Sequence, residues 1–291
     1  SVAIIAKTVR AFQAAGVELK HLEFGNEMFG RWAAPYDYTD PSDGAEGFRW
    51  DSVDYGMAFS TVRKRILELF PLNELSFGLV VNDDEESVCQ TAHICYWVER
   101  MLDDTDAGKD ADWISMHRYF TDYGPQWTED GMILGSGAPM LDKISTILQG
   151  YWQRRQLPMK PIAITEYNSA FRQTQACGAS QQFISMLWQS KLIGQAVSRG
   201  YNMLNHFATY AVPKSCTGGN DFEFYRTRGG RHARAPVDTY SLVRPGWRKA
   251  YNPRPTPAYY AFWLWNRYMG NEIIAEEVAD DGAVHVFVSR F

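Results

Sequence analysis

No stretch of the 291 residues is apolar for the roughly 20 positions that a bilayer-spanning helix needs. The opening segment SVAIIAKTVRAFQAAG also lacks the basic start, long apolar centre and small-residue cleavage site of a signal peptide. The chain therefore reads as soluble, with no membrane partner. Basic blocks are missing too: 29 Lys and Arg are interspersed with 34 Asp and Glu, for a net charge of -5, which argues against nucleic acid as a partner. Cysteine is scarce. The four present (Cys89, Cys95, Cys177, Cys216) are irregularly spaced and include no C-x-x-C, which excludes a disulfide scaffold and a zinc knuckle but leaves a single bridge open. There is no Gly-rich phosphate loop, no serine nucleophile elbow and no His-Glu-x-x-His, so neither a cofactor nor a metal is expected. The acidic run NDDEES (Asn82 to Ser87) lacks the Gly and terminal Glu of a calcium loop and reads as a solvated helix start, with acids at the positive end of the dipole.

Aromatic residues are what the chain has in excess. Phe, Trp and Tyr make up 14% of it, ten of them Trp, within an apolar content of 45% that suits an ordinary globular core. Many must pack that core, but several cluster in loop-like stretches, RWAAPYDY and YFTDYGPQW. Sugar rings present flat C–H faces that stack on such side chains, which makes carbohydrate a candidate ligand.

Periodicity orders the rest. Val2, Ile5, Val9 and Phe12 form one face of an opening helix that Gly16 closes. A strand is predicted over Val17 to Gly25, then a polar loop, then a helix from Ser52 to about Phe70. Strand character returns in LSFGLVVND, ADWISMHRYF, KPIAITEYNS and YNMLNHFATYAV, and helical periodicity in ESVCQTAHICYWVERMLDDT, APMLDKISTILQGYWQRRQ, SQQFISMLWQSKLIGQAVSRG and TPAYYAFWLWNRYMG. A long loop fills Val212 to Pro257. Five mostly apolar strands alternating with helices predict a parallel sheet covered by helices. Beyond Gly270, two alternating runs around Asp-Asp-Gly read as a β-hairpin instead. The expected organisation is an α/β domain over 1–270 and the start of a β-domain over 271–291.

In parallel α/β sheets the chemistry gathers at the C-terminal ends of the strands. The first predicted strand ends in Asn26 and Glu27, the third carries His117 and Tyr119, the fourth ends in Glu166, Tyr167 and Asn168, and the fifth contains Asn205 and His206. Glycosidic bond cleavage needs paired carboxylates, one to protonate the leaving oxygen and one to attack or stabilise the anomeric carbon. A lone strand-end Glu is better read as a helix cap or the partner of a buried Arg. Two of them, one after Asn and one before Tyr-Asn, favour the catalytic pair. His117 is a candidate to orient a carboxylate or touch substrate, and Tyr119, on the same strand face, to donate to a nucleophile and hold it ionised. Only one of Asn205 and His206 can face the interior. Trp32, Trp127 and Trp247 are loop aromatics able to stack on sugar, though packing is the plainer reading of each.

LEFGNEMFGRW resembles the acid/base strand of the large clan of retaining glycoside hydrolases built on a (β/α)8 barrel, in which Asn-Glu ends strand four and the nucleophilic Glu ends strand seven. PIAITEYNS resembles that seventh strand. The Gly-Asn-Glu-Met form is most similar to α-L-arabinofuranosidases, with related β-xylosidases and agarase-like enzymes sharing the arrangement. The resemblance implies a TIM barrel followed by the start of a β-sandwich, Glu27 as acid/base, Glu166 as nucleophile and Asn26 as a donor to the sugar 2-hydroxyl. Asn205, His206 and Trp32 become substrate-binding candidates alongside His117 and Tyr119. It further implies a secreted enzyme acting on plant or algal carbohydrate, with galactan- or xylan-directed relatives and a catalytically silent sugar-binding barrel as the alternatives. If Glu27 ends strand four, strands one to three are expected upstream of Ser1 or from another segment.

Overall fold

The computed structural model describes residues 2–29, 51–71, 74–82, 96–119, 138–168, 183–207, 214–215, 237–238, 243–244, 254–278 and 285–291. All four cysteines, Trp32, Trp127, Trp247 and residues 83–87 of the acidic run lie outside them. The backbone of the fold is a five-stranded parallel sheet of order β1-β2-β3-β4-β5 with helices between the strands. Its strands are β1 (His21–Glu23), β2 (Ser76–Val80), β3 (Trp113–Tyr119), β4 (Ile162–Asn168) and β5 (Met203–His206). The chain divides into two compact units, Ser1–His117 with Lys143–Ala163, and Arg118–Asp142 with Ile164–Phe291.

In the first unit, α1 (Val2–Ala14) buries Ala6 and Val9 and ends as its sequence predicts. Gly16 adopts φ +71°. Its N–H donates to Gln13 O and that of Val17 to Phe12 O, which satisfies two terminal carbonyls. β1 is shorter than predicted, because only His21 to Glu23 find ladder partners, in Ser76 to Gly78, while Val17 stays exposed. Helix α2 (Ser52–Leu69) starts in a capping box: Asp51 Oδ1 accepts the Val53 and Asp54 N–H groups at 2.9 Å, and Asp54 accepts the Asp51 N–H. Its buried stripe of Tyr55, Phe59, Val62 and Ile66 has the spacing of a single helix face. Phe77, Leu79 and Val80 of β2 and Ile114 and Met116 of β3 are buried as well. Of the helix predicted before β3, the described part is α3 (Trp97–Asp104), and a one-turn helix α4 (Ala107–Asp110) follows it. Helix α5 (Ala138–Arg154) buries Ile144, Leu148 and Trp152, and the Arg155 guanidinium beyond its end grips both oxygens of Asp103 at 2.7 Å.

In the second unit, β5 continues from β4 through paired contacts: the Phe207 N–H donates to Tyr167 O at 2.9 Å and Asn168 Nδ2 to Phe207 O at 2.8 Å. Helix α6 (Phe183–Ser198) buries Trp188, Gln189, Leu192 and Ala196. Inside the segment read as one long loop, β6 (Lys214–Ser215) pairs with β7 (Val237–Asp238), and β8 (Val243–Arg244) with β9 (Arg254–Pro255), both antiparallel. Helix α7 (Pro257–Tyr268) begins with Pro at its first position and buries Ala258 and Ala261. The final hairpin is antiparallel β10 (Glu272–Val278) and β11 (His285–Arg290), with an irregularity between Ile273 and Ala275. Phe287 docks on α6 at Gly194, where a Cβ would stand 2.4 Å from the ring. Glu276 completes the seam, accepting from Ser198 Oγ at 2.6 Å and lying 3.5 Å from His285 Nδ1. No helix among the described residues is long and apolar enough to cross a membrane.

Candidate active site

The first unit carries Glu27 just past the end of β1. Just past the paired residues the Phe24 N–H donates to Gly78 O at 3.2 Å, and the Phe24 carbonyl then accepts the Tyr55 hydroxyl at 2.8 Å. The same hydroxyl oxygen accepts the Val80 N–H at 2.9 Å, so one phenol clamps the ends of two strands. Tyr55 is fully buried, and burial pushes its phenol pKa up. Immediately after this clamp the backbone turns through Gly25 at φ +97° and Glu27 at φ +46°. A glutamate in the left-handed region is strained by about 1 kcal/mol or more, and such strain is kept where it aims a side chain.

That side chain is 21% exposed and meets His117, whose Nδ1 lies 3.1 Å from Glu27 Oε1. The ring itself is only 6% exposed, and its Nε2 lies 3.7 Å from Glu23 Oε1. Ser115 Oγ donates to that same Glu23 oxygen at 2.7 Å. These contacts follow from the pleat. Glu23 is the ladder partner of Gly78, and Gly78 of Trp113, so Glu23, Trp113, Ser115 and His117 share a face. Gly78 contributes no side chain to that face, and the Trp113 ring fills the space, 2.3 Å from where a Cβ would be. Glu23 thus reaches across β2 to β3. Asn26 is exposed beside Glu27.

The second unit carries Glu166 near the end of β4, half-buried between the apolar strand start and buried Tyr167 and Asn168. The Tyr119 hydroxyl, at the end of β3, donates to Glu166 Oε1. Such a bond fixes the plane in which the second carboxylate oxygen lies. Asn168 is spent on structure, holding Phe207 O and receiving Gln189 Nε2 at 3.5 Å. Tyr167 is fully buried, which pushes its phenol up. Of the β5 pair, Asn205 is exposed with its amide 3.6 Å from Met203 Sδ, whereas the His206 ring stands edge-on to Tyr167 and Phe262, each at 5.6 Å between centroids. Neither Glu23 nor Ser115 stands out in the sequence. The available signal was a charged residue inside a short strand, four residues before Glu27, where burial demands partners.

No protein-family model and no curated protein matches the chain. Its fold is similar to that of several solved structures. An α-L-arabinofuranosidase from Thermotoga maritima matches with a TM-score of 0.52 at 15% identity, over 92% of this chain and 46% of that one. A monomeric β-xylosidase from Caulobacter crescentus matches with a TM-score of 0.55 at 15% identity, over 99% of this chain and 49% of that one. An enzyme from Xanthomonas axonopodis pv. citri matches with 0.52 at 14% identity, over 96% and 48%. The chain spans about half the length of the structures it matches. The likeness is one of fold: the parallel strands and intervening helices are arranged as in part of a (β/α)8 barrel.

Proposed function

We propose that the protein is a retaining glycoside hydrolase, arabinofuranosidase-like, acting on a plant or algal polysaccharide or oligosaccharide with Glu27 as acid/base and Glu166 as nucleophile. The observation that carries this reading is that each strand-end glutamate is engaged by a side chain of β3, Glu27 by His117 and Glu166 by Tyr119. His117 and Tyr119 lie two residues apart on that one strand, and so share a face. The two partners differ in chemistry, as the two roles require. A phenol that donates to Glu166 holds one carboxylate oxygen and orients the other for attack, whereas an imidazole beside Glu27 suits a group that must give up and take back a proton. Support also comes from the fold, shared with structures described as arabinofuranosidase and β-xylosidase.

In the proposed cycle Glu27 protonates the leaving oxygen while Glu166 attacks the anomeric carbon. Glu27 then takes a proton from the water that releases the sugar. Retention requires the two carboxyl groups to stand about 5–5.5 Å apart across the bond. Asn26 would donate to the 2-hydroxyl, with Asn205, His206 and Trp32 as further sugar contacts. A polymeric substrate implies work outside the cell, and the hairpin at 271–291 would begin an appended β-domain. Because the β-xylosidase fold matches as well as the arabinofuranosidase fold, a xylan-type substrate is the second reading.

The test is turnover of 4-nitrophenyl α-L-arabinofuranoside, β-D-xyloside and β-D-galactoside by full-length protein, with NMR of the first-formed anomer. Activity with net retention is expected. Turnover of none of these overturns the proposal, and an inverted first product overturns the mechanism alone.

A further inference from the structure

Glu23 lies outside the proposed catalytic pair, yet it faces the same imidazole that holds Glu27. We propose that Glu23 is a positioning residue for Glu27, acting through the ring of His117 and itself anchored by Ser115; the inference rests on the reading of Glu27 as acid/base. A carboxylate on a three-residue strand, 24% exposed, is costly to shield from water unless its oxygens are engaged. Its partners on β3 divide the work. The Ser115 hydroxyl donates to Glu23 Oε1 at 2.7 Å and pins the carboxylate. His117 Nε2, at 3.7 Å from that oxygen, is within ion-pair range but beyond hydrogen-bonding distance, so Glu23 acts on the ring mainly through its charge.

Set between two acidic side chains, the ring on this proposal carries a proton on each nitrogen. Nδ1–H then donates to Glu27 Oε1 across 3.1 Å in both halves of the cycle. That assigns proton transfer to Oε2, which carries the acid proton in the first step and takes the water's proton in the second. The reach of Glu23 from β1 to β3 has a structural cause already described: Gly78, its ladder partner on β2, adds no side chain of its own to that face. Without the Glu23 charge the ring loses the reason to keep Nε2 protonated, and the bond to Glu27 loses its fixed polarity.

The experiment compares Glu23→Gln with wild type in the full-length protein. On aryl glycosides of one sugar, Glu23→Gln is expected to lose about tenfold or more in kcat/KM with phenol as leaving group and less than about threefold with 2,4-dinitrophenol, which needs no proton. Equal losses on both overturn the proposal, because general damage to the fold does not discriminate between leaving groups. In a His117→Phe background the same change should cost no more than about twofold, and an undiminished loss there overturns the route through the ring. Nitrogen NMR of histidine-labelled protein supplies a readout independent of turnover. His117 should show both nitrogens protonated in wild type and one bare in Glu23→Gln; a bare Nε2 in wild type overturns the proposal. Should wild type turn over no glycoside, the acid/base reading falls, and the imidazole spectrum by itself decides whether Glu23 holds the ring.

Discussion

Replacing Tyr55 with Phe removes one oxygen and leaves the ring stacked on Phe24 and tilted against Trp97. That oxygen donates to Phe24 O and accepts from Val80 N–H, with no exposure to solvent. The substitution therefore strands a backbone carbonyl and a backbone amide together, at about 1–3 kcal/mol for each buried group, less what relaxation recovers. A loss of about 2–4 kcal/mol is expected, and with a few degrees per kcal/mol in a chain of this size the midpoint should fall by on the order of 10 °C. A second signature comes from pH. Burial raises the Tyr55 phenol in the folded state, so above about pH 10 the unfolded chain sheds a proton that the native chain keeps. The native state then binds more protons, and its stability must fall as pH rises from there. Tyr55→Phe should flatten that alkaline slope while lowering stability at neutral pH. Tyr167→Phe is the control: its phenol is also raised by burial, but its hydroxyl has no hydrogen-bond partner among the described residues. It should flatten the slope too, with neutral-pH stability within about 1 kcal/mol of wild type. Urea denaturation of the full-length protein at pH 7 and between pH 9 and 11 measures all of this. A Tyr55→Phe protein as stable as wild type at pH 7, with an unchanged alkaline slope, would refute the clamp.

Glu166→Ala should lose activity on every substrate and regain it with azide, giving an inverted product read by NMR. Glu27→Ala should lose about 10²–10⁴-fold on unactivated glycosides, keep much of its rate on dinitrophenyl ones, and with azide give a product of retained configuration. Opposite stereochemistry in the azide products would swap the two roles. Gly194→Ala drives a methyl into the Phe287 ring and should cost about 1–3 kcal/mol, with faster hydrogen exchange in residues 285–291. Asp51→Ala removes an N-cap that holds two amides and should lower stability by about 1 kcal/mol in urea denaturation, with activity on any substrate unchanged.

A single element announces its own type and its own ends in the residues that build it. Helices α1, α2, α5, α6 and α7 were legible because one face of each must bury apolar side chains at a 3.6-residue spacing, and Gly16 and Asp51 mark ends by chemistry that acts within a turn. Glu27 and Glu166 stood out for the same local reason, as carboxylates following apolar strands. Strand lengths were not legible, since a strand extends only as far as its neighbour, and β1 stops at Glu23 where its pairing with β2 does. The short pairs β6–β7 and β8–β9 join segments that carry no shared pattern to betray them. Of Asn205 and His206, alternation says only that they point to opposite faces; packing against Tyr167 and Phe262 sets the His206 ring on the face opposite Glu166 and leaves Asn205 exposed. The line from Ser115 through Glu23 and His117 to Glu27 joins side chains 90 or more positions apart, and it exists because two ladders set β1 and β3 in register on either side of a glycine. Residue spacing encodes which way a side chain points; which other side chain it meets is fixed only when the strands pair.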